Sequence, residues 1–392
     1  MDERYQKVFK PGTYPELTYV VRQSKGTKYT YEERLQQSLK IDGYLTYIVG
    51  PSKTGKTVLC ERVIGRESMV SMSGNDFART SDFWEMLGKK VGLSMNAEIS
   101  EQQSDLSEIE QKSTTIKKNY KGNKDRVIEY FKANNKVFVL DDFHYASPDI
   151  QYDIACQLKE VIRLGFKAVV ISLPHRSDDA IRLNPDLAGR ISVIEIKSWE
   201  QKQLEEIARK GFKELNVFIE DALITRIALE SIHSPQLMQA ICLNIGLLPA
   251  DYEIITDEVV EESCRFTCIN LPYGDVVRVL KAGPPTRGQK RLQYELKDHS
   301  YKDIYSFILK VLADNPPLVE IDLEELMKRI QNNIVNARIV KERVKDALKK
   351  WQDILDHSGP LYQVFEWKDD IMHIQDNLFL FYIRWLFNQE VR

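Results

Sequence analysis

Tyr44–Thr57 reads YLTYIVGPSKTGKT: an apolar run, a glycine-bearing turn and the first residues of a helix, without a break. Taken as buried strand, tight loop and helix, this stretch decides the fold. Gly50 to Thr57 is a full G-x-x-x-x-G-K-[ST] pattern. Gly50 and Gly55 let the backbone curl so that amide groups turn inward toward a phosphate. The helix that starts near Lys56 adds its positive end. Gly50, Pro51, Ser52, Lys53, Thr54, Gly55, Lys56 and Thr57 are therefore the expected cradle for the phosphates of ATP. Lys56 would reach the β- and γ-phosphates, and the Thr57 hydroxyl would ligate Mg²⁺. Val58, Leu59, Val63 and Ile64 supply the apolar helix that the motif requires behind it. Lys53, inside the loop, either adds a charge over the phosphates or points to solvent.

A second anchor, KVFVLDDFH (Lys136–His144), lies about 85 residues further on. Four consecutive apolar residues predict a strand buried on both faces, as in the middle of a parallel sheet. It ends in two carboxylates at the edge where open α/β sheets bind ligands. Asp141 is the expected Mg²⁺ residue, and Asp142 the one that orients or deprotonates the attacking water.

The chain has 392 residues, 43% apolar and 29% charged, with a net charge of −3. That describes an ordinary globular protein of two or three domains and excludes a wholesale nucleic-acid coat. Lys281–Lys350 nonetheless holds 15 Lys/Arg against 10 Asp/Glu, so it is +5 and the remainder −8. Cys60, Cys156, Cys242, Cys264 and Cys268 have apolar neighbours and no compact framework, which implies reduced thiols and a cytoplasmic setting. MDERYQKVFK lacks an apolar run, so no signal peptide is expected, and Leu378–Ile383 is too short to cross a bilayer.

In chain order, residues 1–40 read as an arm and an entry helix, YEERLQQSLK. Tyr19, Val21 and Arg22 either lie over the adenine ring or belong to a structural arm that covers a sheet edge. The nucleotide core is expected over 41–198. Within it, Met69–Met72 reads as a strand, SDFWEMLGKKVGL as an amphipathic helix, residues 94–121 as a polar exposed insertion and NKDRVIEYFKAN as a helix. Ser147 and Gly165 bracket another helix. KAVVISLPHR is a buried strand that ends at Arg176, which either senses the γ-phosphate or faces solvent. Arg190 stands just before a last strand, ISVIEI, where an arginine can face a neighbouring subunit's nucleotide or pair with a local acid. Residues 199–278 carry helical periodicity throughout, a lid of about four helices. Residues 279–300, with GPPTRGQKR, read as a linker. Residues 301–392 give helix, helix, helix and a hairpin around Asp369-Asp370, the order of a winged helix, closed by the aromatic stretch Asp376–Phe387.

This ordered set resembles the STAND branch of AAA+-related P-loop ATPases, signal-transduction ATPases with a nucleotide domain, helical lid and winged helix. The resemblance covers roughly Thr18 to Trp385. LDDFHYASPD is similar to the Walker B run of LuxR-type members, ISLPHR to the sensor strand, and TYVVR with YEERL to the entry element, although Val21 stands where the family has Gly and no acid follows Arg22. HSPQLMQAIC resembles the lid's G-x-P element, which would set Pro235 near the adenine or ribose, with His233 in place of Gly. The resemblance implies an α/β P-loop core with a parallel sheet, then lid and winged helix, binding ATP/ADP and Mg²⁺. It further implies a homo-oligomer or a separate effector protein, and bacterial anti-phage systems are one setting where such bare ATPases occur.

Two functions follow. One is a nucleotide switch that hydrolyses ATP slowly and controls assembly with partners. Asp142 suits it, because a carboxylate shorter than the Glu of many fast motors sits further from the water. The other is a DNA-binding AAA+ ATPase (an initiator, loader or transposition regulator) that contacts phosphates through Lys341, Arg343, Lys345, Lys349 and Lys350 of the winged helix. Glu342 and Asp346 interrupt that basic face.

Overall fold

The computed structural model describes residues 3–79, 82–93, 123–173, 187, 189–248, 254–286, 288, 290–335, 338–358 and 362–389. The polar stretch 94–121 and Arg176 lie outside the described residues. The chain divides into two compact units. The first is Val21–Pro51 with Gly55–Lys197; the second is Met1–Val20, the loop residues Ser52–Thr54 and Ser198–Arg392. The short helix α1 (Arg4–Val8) belongs to the second.

The first unit is built on five strands, β1 (Leu45–Val49), β2 (Met69–Ser73), β3 (Val137–Asp141), β4 (Ala168–Ser172) and β5 (Ile191–Glu195). They form one parallel sheet in the order β2-β3-β4-β1-β5. The strands' apolar runs feed two cores because successive side chains point to opposite faces. Leu45, Tyr47, Phe138, Leu140, Ala168 and Val170 lie on one face. There they meet α4 (Phe83–Lys90), the helix α5 over 123–133, and α6 (Pro148–Ile162). Ile48, Val137, Val139, Val169, Ile171 and Ile194 face the other way, onto α2 (Tyr31–Lys40) and α3 (Lys56–Ile64). Thr30 and Glu33 close a capping box at the start of α2, which satisfies two backbone donors and contributes about 1 kcal/mol. Ser147 holds the N-cap position of α6, but its hydroxyl makes no capping bond; Pro148, preset for the first turn, starts the helix instead.

In the second unit, α7 (Gln201–Leu215), α8 (Asp221–Glu230), α9 (Pro235–Leu247), α10 (Asp257–Ile269) and α11 (Gly274–Ala282) follow in sequence. Residues of α1 and Phe9 lock onto α7 and α9 where two glycines leave room: a Cβ on Gly211 would sit 2.2 Å from the Phe9 ring, and one on Gly246 2.1 Å from Tyr5. A small hairpin, β6 (Tyr294–Glu295) with β7 (Tyr301–Lys302), leads to α12 (Ile304–Leu312), β8 (Glu320–Asp322), α13 (Leu323–Asn333) and α14 (Lys341–His357). Next come β9 (Phe365–Lys368), β10 (Ile371–Ile374) and α15 (Asn377–Gln389), with an antiparallel sheet ordered β8-β10-β9. Asp369 and Asp370 make the β9–β10 turn with φ of +52° and +61°, as a tight hairpin requires. The fully buried Trp351 anchors α14, its indole donating to the Leu280 carbonyl at 2.8 Å. Among the described residues no helix is long and apolar enough to cross a membrane.

Candidate nucleotide site

β1 delivers the chain to Gly50, where a side chain has no room: a Cβ would lie 2.5 Å from the Ile196 carbonyl oxygen. Gly55 turns the chain into α3 with φ of +91°, a conformation L side chains rarely adopt. Between them the Lys56 ammonium folds back on the loop and donates to the carbonyls of Gly50 (2.9 Å) and Pro51 (2.7 Å). Lys56 is 8% exposed. Burial lowers its pKa from the ordinary 10.5 to about 8, opposed by the nearby carboxylates of Asp141 and Asp142.

The two sequence anchors meet here. The Thr57 hydroxyl donates to Asp141 Oδ2 at 2.5 Å, although 84 residues separate them. Asp141 Oδ1 accepts from the Asp142 amide at 2.8 Å, which fixes the carboxylate's orientation. Thr57 and Asp141 offer only oxygen donors, the set Mg²⁺ prefers when waters and phosphate oxygens complete its shell. Among the described residues no group of three or more His, Cys, Asp or Glu could hold a metal ion by itself. Asp142 has φ of +49°, outside the strand geometry of β3. Its pKa is raised, first by partial burial and then by the Asp141 charge, against the opposing pull of Lys56. The turn that carries it rests on Gly74, where a Cβ would come 2.4 Å from the Asp142 carbonyl oxygen. Sequence reading missed Gly74; its one signal is the turn-forming Ser-Gly-Asn-Asp after β2.

Arg190 stands at the entry of β5, its carbonyl accepting from the Leu45 amide at 2.8 Å. Leu45 opens β1 and Gly50 follows its end, so five residues of strand, about 16 Å, separate Arg190's level from its own loop. A contact with the nucleotide of its own chain is out of reach, which leaves the neighbour and the local-acid readings. Val21 is exposed, whereas Arg22 is buried, its guanidinium donating to the Lys197 carbonyl at 3.0 Å and lying 5.2 Å over the Tyr31 ring.

The loop tip is held within the second unit. Lys53, at φ of +59°, places its ammonium 3.1 and 3.2 Å from the two carboxylate oxygens of Asp376. The Tyr273 hydroxyl donates to the same carboxylate, which also caps the start of α15 at Leu378 N. Trp199 Nε1 donates to the Thr54 carbonyl at 2.9 Å, and the Trp199 carbonyl lies 2.8 Å from His233 Nδ1. Pro235 is the first residue of α9, and the turn before it runs through Ile232 and His233 at φ of +45° and +57°. His233 thus takes the left-handed conformation that the glycine of a G-x-P element would supply. Asp376, Tyr273 and Trp199 carry no local motif, and sequence reading did not find them.

No family model matches this chain, and no curated protein matches it. Among solved structures, it is similar to a Walker-type ATPase of Pyrococcus abyssi at 13% identity and a TM-score of 0.51, covering 90% of this chain and 94% of that one. Cdc6p of Pyrobaculum aerophilum is a weaker likeness, with 14% identity, a TM-score of 0.43 and coverage of 100% and 99%. So is the RuvB Holliday junction branch migration motor of Thermotoga maritima, at 13% identity, a TM-score of 0.40 and coverage of 89% and 92%. The sheet, the loop and the first of these likenesses show the α/β fold of a P-loop ATPase.

Proposed function

We propose that the protein binds ATP with Mg²⁺, hydrolyses it slowly, and uses nucleotide state to control its assembly with copies of itself or with a separate effector protein. The observation that carries this reading is the convergence of Lys56, Thr57, Asp141 and Asp142 at one end of β1 and β3. Lys56 would exchange its two carbonyl acceptors for phosphate oxygens. Thr57 and Asp141 would hold Mg²⁺, which neutralises phosphate charge when bound. Asp142, with its raised pKa, would accept the proton of the attacking water. Arg190 would complete a neighbour's site rather than its own. Arg176 keeps its proposed γ-phosphate role on sequence grounds.

The switch rests on Lys53. Its ammonium sits in the phosphate loop and is engaged by Asp376. Phosphate in the loop competes for that ammonium, so occupancy would be felt at Asp376, Tyr273 and the start of α15. In this reading 199–278 form the lid, with Pro235 near the base or ribose, 279–300 the connection, and 301–392 a winged helix. Val21 and Arg22 belong to the entry element. The STAND-like arrangement and a defence setting are part of the same proposal.

Size-exclusion with light scattering tests the reading, comparing the protein alone, with ADP and with a non-hydrolysable ATP analogue. The analogue is expected to change the assembly state of the wild type, or of the wild type with its co-purifying partner. Lys56→Ala should not respond and should not bind nucleotide. A Lys56→Ala protein with wild-type ATP affinity would refute the site itself. An assembly state indifferent to nucleotide would refute the switch.

A further inference from the structure

Residues 284–286 and 290–292 line, with residues of α12 and α14, a groove of about 640 Å³. Lys290, Arg291, Arg343 and Lys350 line it, against one carboxylate among the described lining residues, Asp346. Pro284, Pro285 and Leu292 form an apolar wall. Arg291 is pre-positioned: it pairs with Asp303 at 3.0 Å, donates to the Pro284 carbonyl and has its guanidinium carbon 4.7 Å from the centre of the Tyr305 ring. The guanidinium of Arg343 lies 5.5 Å over the Tyr294 ring. Lys290, Arg343 and Lys350 have no ion-pair partner among the described residues.

The structure also separates four of the cations of the basic helix α14. Lys341 pairs with Glu324 at 3.4 Å and Lys345 with Asp370 at 2.5 Å, so each already faces an acidic partner. Arg343 and Lys350, seven residues and two turns apart, fall on the groove side with Ala347 between them, roughly 10 Å from each other along the axis.

We propose that this groove binds the phosphodiester backbone of a nucleic-acid strand. Lys290, Arg343 and Lys350, without ion-pair partners among the described residues, match a run of phosphates, and the planar guanidinium of Arg291, held by Asp303, offers a face on which a base can stack. Asp346, the carboxylate among the described lining residues, can accept hydrogen bonds from base amino groups or sugar hydroxyls. The site is separate from the phosphate loop and does not rest on the nucleotide reading.

Fluorescence anisotropy with a labelled single-stranded oligonucleotide and with the matching duplex, between 50 and 200 mM salt, tests the proposal. The doubly substituted Lys290→Gln/Lys350→Gln protein should bind at least about tenfold more weakly than wild type, with a salt slope smaller by about 2. Lys345→Gln, outside the groove lining, should bind like wild type, and all three proteins should melt at the same temperature. Tighter binding of one oligonucleotide identifies the single strand or the duplex as the source of the backbone. Absence of binding by both at 50 mM salt, or equal binding by the double variant, overturns the proposal. Displacement by poly-glutamate as effective as by unlabelled oligonucleotide of equal charge overturns the nucleic-acid identity of the ligand.

Discussion

Lys56 makes nucleotide affinity depend on pH, in a direction its burial decides. An exposed lysine stays charged to beyond pH 10, but burial brings Lys56 down to about 8. Phosphates bind the charged form, so affinity falls as pH rises through that value. The apparent dissociation constant scales as one plus the ratio of neutral to charged lysine. That factor is about 1.1 at pH 7 and about 11 at pH 9, so ATP should bind about tenfold more weakly at pH 9. Stability moves the other way. The folded pKa lies below the unfolded 10.5, so between about pH 8 and 10.5 the unfolded chain holds the proton and the folded one releases it. The cost of burying the charge is fully present below pH 8 and is relieved above it, by about 1 kcal/mol between pH 7 and 9. The assay is titration of a fluorescent ATP analogue from pH 7 to 9, with urea unfolding over the same range. Lys56→Met isolates the second effect, because the wild type should gain about 1 kcal/mol relative to it. Nucleotide affinity that is flat across this range would refute the argument, since it would mean that the lysine stays charged or does not meet the phosphates.

Asp142→Asn should keep ATP affinity but lose phosphate release, because the amide cannot take the water's proton; Asp141→Asn should instead weaken the Mg²⁺ dependence of turnover. A wild-type rate in Asp142→Asn places the base elsewhere. Arg190→Ala should fold and bind ATP yet lose assembly and turnover, and mixing it with Asp142→Asn should restore some activity; normal turnover makes Arg190 a local partner only. Asp376→Asn frees the Lys53 ammonium from a partly exposed ion pair, a class that contributes up to about 1 kcal/mol, so ATP should bind up to about fivefold tighter. Unchanged affinity in a calorimetric titration would mean that Lys53 does not meet phosphate.

The phosphate loop was legible in the sequence because its requirements are contiguous: an apolar strand, glycines at two fixed positions, then Lys and Thr. The two-faced burial of β1, β3 and β4 was legible from unbroken apolar runs, and the β9–β10 hairpin from its Asp-Asp turn. All of these depend on neighbours a few residues away. The tertiary structure alone decided the partner of Lys53, an aspartate 323 residues distant. It alone placed Trp199 on the Thr54 carbonyl, put Arg190 beyond reach of its own loop, and set Lys341 and Lys345 in ion pairs while Arg343 and Lys350 line a groove. The register of a parallel sheet and the ion pairs of a helix face are set by which elements pack together, and no local pattern around Asp376 or Lys345 records it.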